Sequence, residues 1–218
     1  MGTYNKRIRP EERIGTYNAK QKDFVAIGTQ NGEAVAILLV HVEGQQATVT
    51  AIPAETDAPV YTLGANAAVL GLETAPIGQA CVRAEGEKEG CWNLIWAIKN
   101  LTGFQPPEYL CVDFACMDAF FSFVPSIESD TGAIDRDAFL RILNDAGKSR
   151  AEGFAKFGIG AVRYLCKVSL WELPAFRSAT RGAFSASLSF LELLSLMRSL
   201  KAVTSFSVSV LNGADPAL

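Results

Sequence analysis

The chain has 218 residues, 49% apolar and 20% charged, a globular composition with enough length for a sizeable core rather than a disordered one. Its formal net charge of −3 gives no general attraction to nucleic acid or anionic lipid, so any anion-binding site has to be a local cluster. No stretch approaches the roughly 18 apolar residues of a membrane span, and the polar start (residues 1–19) carries both signs of charge, unlike a secretory signal.

Taken in chain order, Phe24-Val25-Ala26-Ile27 is expected as a short buried strand ending at Gly28, before the turn-rich Thr29-Gln30-Asn31-Gly32. Residues 35–42 are a continuous apolar run and residues 47–52 alternate. With Glu43-Gly44-Gln45-Gln46 between them they predict an antiparallel hairpin, which Pro53 ends because it has no N–H for a ladder. A Gly/Ala-rich piece (63–72) and a Gly/Glu/Lys loop (85–90) follow. The spacing of Trp92, Ile95, Trp96 and Lys99 predicts a helix over 92–101, with Gly103 as its stop. Pro106 and Pro107 precede a buried strand, 109–114, and an apolar helical segment, 118–124. The C-terminal third reads as helical over 137–143 and 153–165, the second despite its glycines. The clearest helix opens at Ser189, where Ser189 and Glu192 have capping-box spacing. Phe190, Leu193, Leu194, Met197 and Leu200 would make its core face. Residues 206–211 alternate and are expected to return as an edge strand. No repeat or linker divides the chain, so residues 1–23 read as an extension and residues 24–218 as one α/β domain, a sheet covered by helices.

Generic catalytic signatures are missing: there is no P-loop, no G-x-S-x-G and no H-E-x-x-H. Gly158 and Gly160 lack the third glycine and the preceding strand of a dinucleotide fingerprint. The single histidine, His41, falls inside a strand and is expected to be packed or edge-facing rather than part of a triad. Five cysteines without a C-x-x-C pair give no zinc or redox seed. Cys111 and Cys116 should pack as small hydrophobes, and Cys81 and Cys91, flanking the charged loop, leave a disulfide open.

A serial pattern carries more information. Ile27-Gly28-Thr29-Gln30, the run at 37–42, Ile52-Pro53-Ala54-Glu55-Thr56, Asn66-Ala67-Ala68, Leu101-Thr102-Gly103, Val112-Asp113-Phe114 and the stretch 188–196 occur in an order that resembles the LytR–CpsA–Psr family from about Phe24 to the C-terminus. The resemblance implies a three-layer α/β fold with a central mixed sheet flanked by helices and a long apolar groove. It also implies an extracytoplasmic protein held by a membrane anchor, which these residues do not include. The implied activity is transfer of a glycopolymer from polyprenyl pyrophosphate to peptidoglycan, with Mg²⁺ as cofactor where the enzyme is active. In that chemistry arginine, lysine and metal neutralise the pyrophosphate, so catalysis is mainly positioning and electrostatic stabilisation.

Against that pattern the charged positions are depleted. Gln30 stands where the family has the acid of Gly-Thr-Asp; Glu33-Ala34-Val35-Ala36 replaces Arg-x-Asp-Thr; Ala54 replaces the arginine of Ile-Pro-Arg-Asp-Thr, while Glu55 keeps its acid; and Gly64 replaces the lysine before Asn66. Each lost cation removes a charge-assisted contact worth roughly 1.5–3 kcal/mol. The remaining candidates are Glu55, Arg141 and Arg150 for catalysis and Gln30, Asn66 and Lys148 for ligand binding, with no metal ligands assigned. On a plain reading the three cations line a solvated helix face. The expectation is therefore a degenerate envelope protein that binds a polyprenyl-phosphate lipid or a cell-wall glycan without efficient catalysis. An active phosphotransferase and a purely structural domain are the alternatives.

Overall fold

A computed structural model describes residues 21–63, 70–82, 87–167 and 182–211. The elements are β1 (Gln21–Gln30), β2 (Glu33–Glu43), β3 (Gln46–Ala51), β4 (Asp57–Leu63), β5 (Leu70–Pro76), a 3-10 turn (Ile77–Ala80), α1 (Glu87–Thr102), β6 (Tyr109–Asp113), α2 (Met117–Phe123), β7 (Ser126–Ser129), β8 (Gly132–Asp135), α3 (Arg136–Asn144), α4 (Gly147–Leu165), β9 (Phe184–Ala186), α5 (Phe190–Ala202) and β10 (Ser205–Val210). Six strands form a mixed sheet in the order β10-β3-β2-β1-β6-β9. β6 runs parallel to β1 and β10 parallel to β3, and the other neighbours are antiparallel.

Local chemistry sets the hairpins. Asn31 and Gly32, both with positive φ (53° and 82°), close β1 onto β2, the backbone twist that two-residue hairpin turns demand. Gly44 (φ 60°) closes β2 onto β3. Alternation along β1 and β2 then builds two cores. Val25, Ile27, Ile37 and Leu39 face α1, where Leu94, Ile95 and Ile98 are fully buried. Phe24, Leu38, Val40 and Val42 face α4 and α5. This is the expected three-layer α/β arrangement. No helix among the described residues is long and apolar enough to cross a membrane.

A third core sits where β1 and β6 finish and β2 begins. Phe114, Phe120, Phe121, Phe139, Phe154 and Phe157 pack there with Ala36 and Ile127. Ring centroids lie 4.9 Å apart for Phe139–Phe157 and 5.1 Å for Phe114–Phe139. The Phe114 ring also explains Gly28: a Cβ on that residue would lie 2.1 Å from Phe114 Cζ.

Several boundaries differ from the sequence reading. The first strand starts at Gln21, ahead of Phe24. Residues 87–90, read as loop, form the first turn of α1, while 83–86 lie outside the described residues. Within the 63–72 piece, Leu63 ends β4 and 70–72 open β5, an antiparallel pair that composition hid; residues 64–69 are outside the described set. The β7–β8 hairpin was not anticipated. The stripe expected to bury α5 is rotated: Leu196 and Leu200 are buried, Leu193 and Met197 are half-buried, and Leu194 is exposed, as is Leu191. The side chain of Phe190 lies outside the described residues. The capping box at Ser189 and Glu192 is present. No disulfide joins Cys81 to Cys91; Cys111 is buried and Cys116 half-buried.

Helix α4 begins at Gly147 rather than 153, and its glycines are contact points. An added Cβ would meet Ile142 Cγ2 at 2.8 Å from Gly153, Leu38 Cδ1 at 3.0 Å from Gly158 and Ile127 Cγ2 at 2.3 Å from Gly160. These close approaches let α4 sit against α3, the sheet and β7. Replacing an interior helical glycine by alanine ordinarily stabilises by up to about 1 kcal/mol. At Gly160 the sign should reverse, because the carbonyl oxygen of Glu128 would also be only 2.7 Å away. Chemical denaturation of Gly160→Ala should show a net loss of about 1–2 kcal/mol. Gly158→Ala, which meets only the end of a leucine, should lose less.

Candidate functional site

Two of the candidate residues, Glu55 and Arg150, meet at the loop that follows β3. The Ile52 N–H still reaches the Ile37 carbonyl (2.9 Å), and then the Thr56 N–H bonds the Pro53 carbonyl (3.0 Å), closing a turn with Glu55 at its tip. Ala54 is buried. Its carbonyl accepts from the Gly78 N–H (2.9 Å), and the Ile77 N–H reaches Thr56 O (2.8 Å), so the Ile77–Ala80 turn braces the loop from behind. A Cβ on Gly78 would meet the Ala34 carbonyl oxygen at 2.4 Å and Ala54 Cβ at 3.1 Å, so the start of β2, the 52–56 loop and the 3-10 turn meet at this glycine.

The N-terminus of α4 closes the site from the other side. Arg150 Nη2 donates to Glu55 Oε1, and the same oxygen accepts the Gly147 N–H at 3.4 Å. The guanidinium side chain is mostly buried and the carboxylate about half exposed. Asp145 accepts from the Ala146 N–H (3.0 Å) and from the Ser149 hydroxyl. Its carboxyl is held below the usual range, mainly by the Ser149 hydrogen bond, then by the Ala146 N–H, with Arg150 adding to the effect. Two of the protein's own carboxylates thus bond the first turn of α4, where the unpaired N–H groups and the helix dipole favour negative charge.

Of the six candidates, Glu55 and Arg150 are brought into contact. Lys148 shares the first turn of α4 and is exposed; Arg141 lies exposed in the last turn of α3; Gln30 is exposed at the end of β1. None of these three makes an ion pair with a described residue. Asn66 lies outside the described residues. Asp145, Ser149 and Gly78 were not singled out from sequence, although an aspartate four residues before a serine at a helix start was a legible signal.

A Mg²⁺ ion requires near-octahedral oxygen ligands. Val35 offers hydrocarbon and packs against the phenylalanine cluster, Gln30 offers one amide oxygen, and Glu55 is engaged by a guanidinium and a backbone N–H. This donor set does not fit the ion. Among the described residues no three His, Cys, Asp or Glu side chains converge as metal ligands.

No family model and no curated protein matches the chain. Solved structures do share its fold. The protein gbs0355 from Streptococcus agalactiae superposes with a TM-score of 0.69 at 10% identity, covering 88% of this chain and 77% of that one. TagT bound to LI-WTA gives 0.65 at 11% identity, covering 92% and 83%. Bacillus subtilis TagV gives 0.66 at 12% identity, covering 91% and 87%. At these identities the likeness is one of fold.

Proposed function

From a chain with the LytR–CpsA–Psr fold of these proteins, we propose a cell-envelope protein that binds a polyprenyl-linked or glycan ligand without efficient catalysis. One observation carries the reading. The acid that survives from the family pattern, Glu55, is ion-paired with the cation that survives beside it, Arg150, while Ala54 and Val35 occupy the neighbouring charged positions with hydrocarbon. A diphosphate would have to displace Glu55 to reach this guanidinium, and a phosphoryl transfer would proceed without the charges that stabilise its transition state. Similar structures holding TagT with wall teichoic acid support a glycan-type ligand. An extracytoplasmic location at the membrane and an anchor outside these residues belong to the same proposal.

The test is native mass spectrometry and thermal shift with a long-chain polyprenyl phosphate and with wall glycan, each with and without Mg²⁺. The expected result is a complex whose formation and melting temperature are indifferent to the metal, with no turnover of a polyprenyl pyrophosphate substrate. A Mg²⁺-dependent rise in melting temperature accompanied by transfer would overturn the proposal in favour of an active phosphotransferase. Failure of every ligand to bind would overturn it in favour of a structural domain.

A further inference from the structure

The six-stranded sheet ends on one side at β10, whose sequence is Ser205-Phe206-Ser207-Val208-Ser209-Val210. Its register with β3 runs unbroken from Ser205 opposite Gln46 to Val210 opposite Ala51. Phe206, Val208 and Val210 stand beside Ala47, Val49 and Ala51, so they extend the face that α4 and α5 cover. Ser207 and Ser209 lie on the other face, where their hydroxyls bond those of Thr48 and Thr50, each at 3.1 Å. The Ser205 N–H reaches the Gln45 carbonyl at 3.3 Å, and the Leu211 N–H reaches the Ala51 carbonyl at 2.9 Å. Alternation along the strand then turns the N–H groups of Ser207 and Ser209 toward β3, and those of Phe206, Val208 and Val210 away from the sheet. Among the described residues these three outward N–H groups have no partner. Exposed edges are ordinarily blunted by lysine, proline or a bulge. β10 has none of the three.

We infer that β10 is the docking edge for β10 of a second copy of this chain, joined antiparallel about a two-fold axis at Val208. In that register Val208 faces Val208 of the second copy and Phe206 faces its Val210, so every outward N–H and C=O of the three residues gains a partner. Ser207 then lies opposite Ser209: hydroxyls meet hydroxyls, and apolar side chains meet apolar ones. Val208, 42% exposed, is where the apolar face is left open. Charge selects the same occupant. β10 carries no charged side chain, and the guanidinium of Arg163, which lies over the Phe206 ring, is ion-paired with Asp130 at 2.9 Å. A copy therefore meets no like charge along the strand, and a charged peptide finds no counter-ion there. The far edge of the sheet, β9, is only three residues long (Phe184–Ala186). Pairing β10 with β9 of a copy would give an open series, whereas β10 on β10 is isologous and closes as a dimer. Neither Glu55 nor Arg150 takes part in this contact, which stands apart from the ligand reading of that pair.

The experiment combines analytical ultracentrifugation of the full chain over a concentration series with amide hydrogen exchange read by NMR at the same concentrations. Expected is a reversible dimer, with exchange at Phe206, Val208 and Val210 slowing as concentration rises. Exchange at Ser207 and Ser209, bonded to β3, should be slow throughout. Val208→Pro removes the central outward N–H and leaves the ladder to β3 intact, the one setting in which a strand tolerates proline. Val208→Lys keeps that N–H and sets two like charges face to face, which covers the case in which proline disturbs the strand. Each variant should weaken the dimer about tenfold or more. A chain that stays monomeric at every concentration would overturn the inference. A dimer in which exchange at Phe206, Val208 and Val210 ignores concentration would overturn it too, by assigning the contact to another surface. Undiminished dimerisation of Val208→Lys would do the same.

Discussion

Truncating Phe139 to alanine is expected to cost about 3–5 kcal/mol of stability, the range for deleting a fully buried phenyl ring. Phe139 is 1% exposed. It touches Phe114, Phe121, Phe154 and Phe157, with centroids between 4.9 and 6.0 Å, and those neighbours come from the turn after β6, from α2 and from α4. Such a cavity is hard to collapse, because each wall belongs to a different element with its own packing elsewhere. The transfer loss and the cavity cost should both appear. Urea denaturation should show a lower midpoint with an unchanged slope. Phe123→Ala is the comparison: that ring is 48% exposed, and its loss should stay within about 0.5 kcal/mol. Equal losses for the two variants would mean that the six rings are not a packed core.

Most of the sheet was legible because its signals are local. Asn31-Gly32 and Gly44 mark turns that need positive φ, and the apolar runs beside them alternate or stay apolar according to how many faces they bury. The helix at Ser189 announced itself through two side chains that satisfy backbone N–H groups. The sequence reading of α4 starts at Gly153 and runs through its glycines, whereas the helix starts at Gly147; in the fold Gly153, Gly158 and Gly160 are the places where another element comes closest, which a single sequence does not encode locally. The α5 stripe was rotated for a related reason. A run with leucine on several sides has no unique apolar face, and the position of α5 beside α4 and β3 selected Leu196 and Leu200.

The candidate site divides in the same way. That Ala54, Val35 and Gln30 stand where the resembling pattern carries charge could be read from the sequence. That Glu55 and Arg150, separated by 95 residues in sequence, satisfy each other could not. The pairing changes the meaning of both residues. Together they neutralise one another and tie the 52–56 loop to α4. The phenylalanine cluster at the same end of the sheet adds packing where Val35 stands. Both features favour a fixed geometry at this end of the sheet.

Gly78→Ala should expose that geometry, with an expected loss of about 1–3 kcal/mol from overpacking. The backbone of Gly78 is not in a positive-φ conformation, so alanine brings no conformational strain and the cost is space alone. The Ala34 carbonyl, 2.4 Å from the new Cβ, cannot simply retreat, because Ala34 is held opposite Thr29 in the β1–β2 ladder. The Ala54 carbonyl, 3.2 Å away, already receives the Gly78 N–H. The methyl group therefore pushes the Ile77–Ala80 turn off the 52–56 loop, lengthens that hydrogen bond and carries Glu55 away from Arg150. Two measurements follow from this displacement. The denaturation midpoint should fall, and the coupling between Glu55→Gln and Arg150→Ala in a double-mutant cycle should shrink when the cycle is repeated in the Gly78→Ala background. A lowered midpoint with undiminished coupling would mean that the glycine serves packing alone. An unchanged midpoint would mean that the three segments do not meet as closely as the Gly78 contacts require.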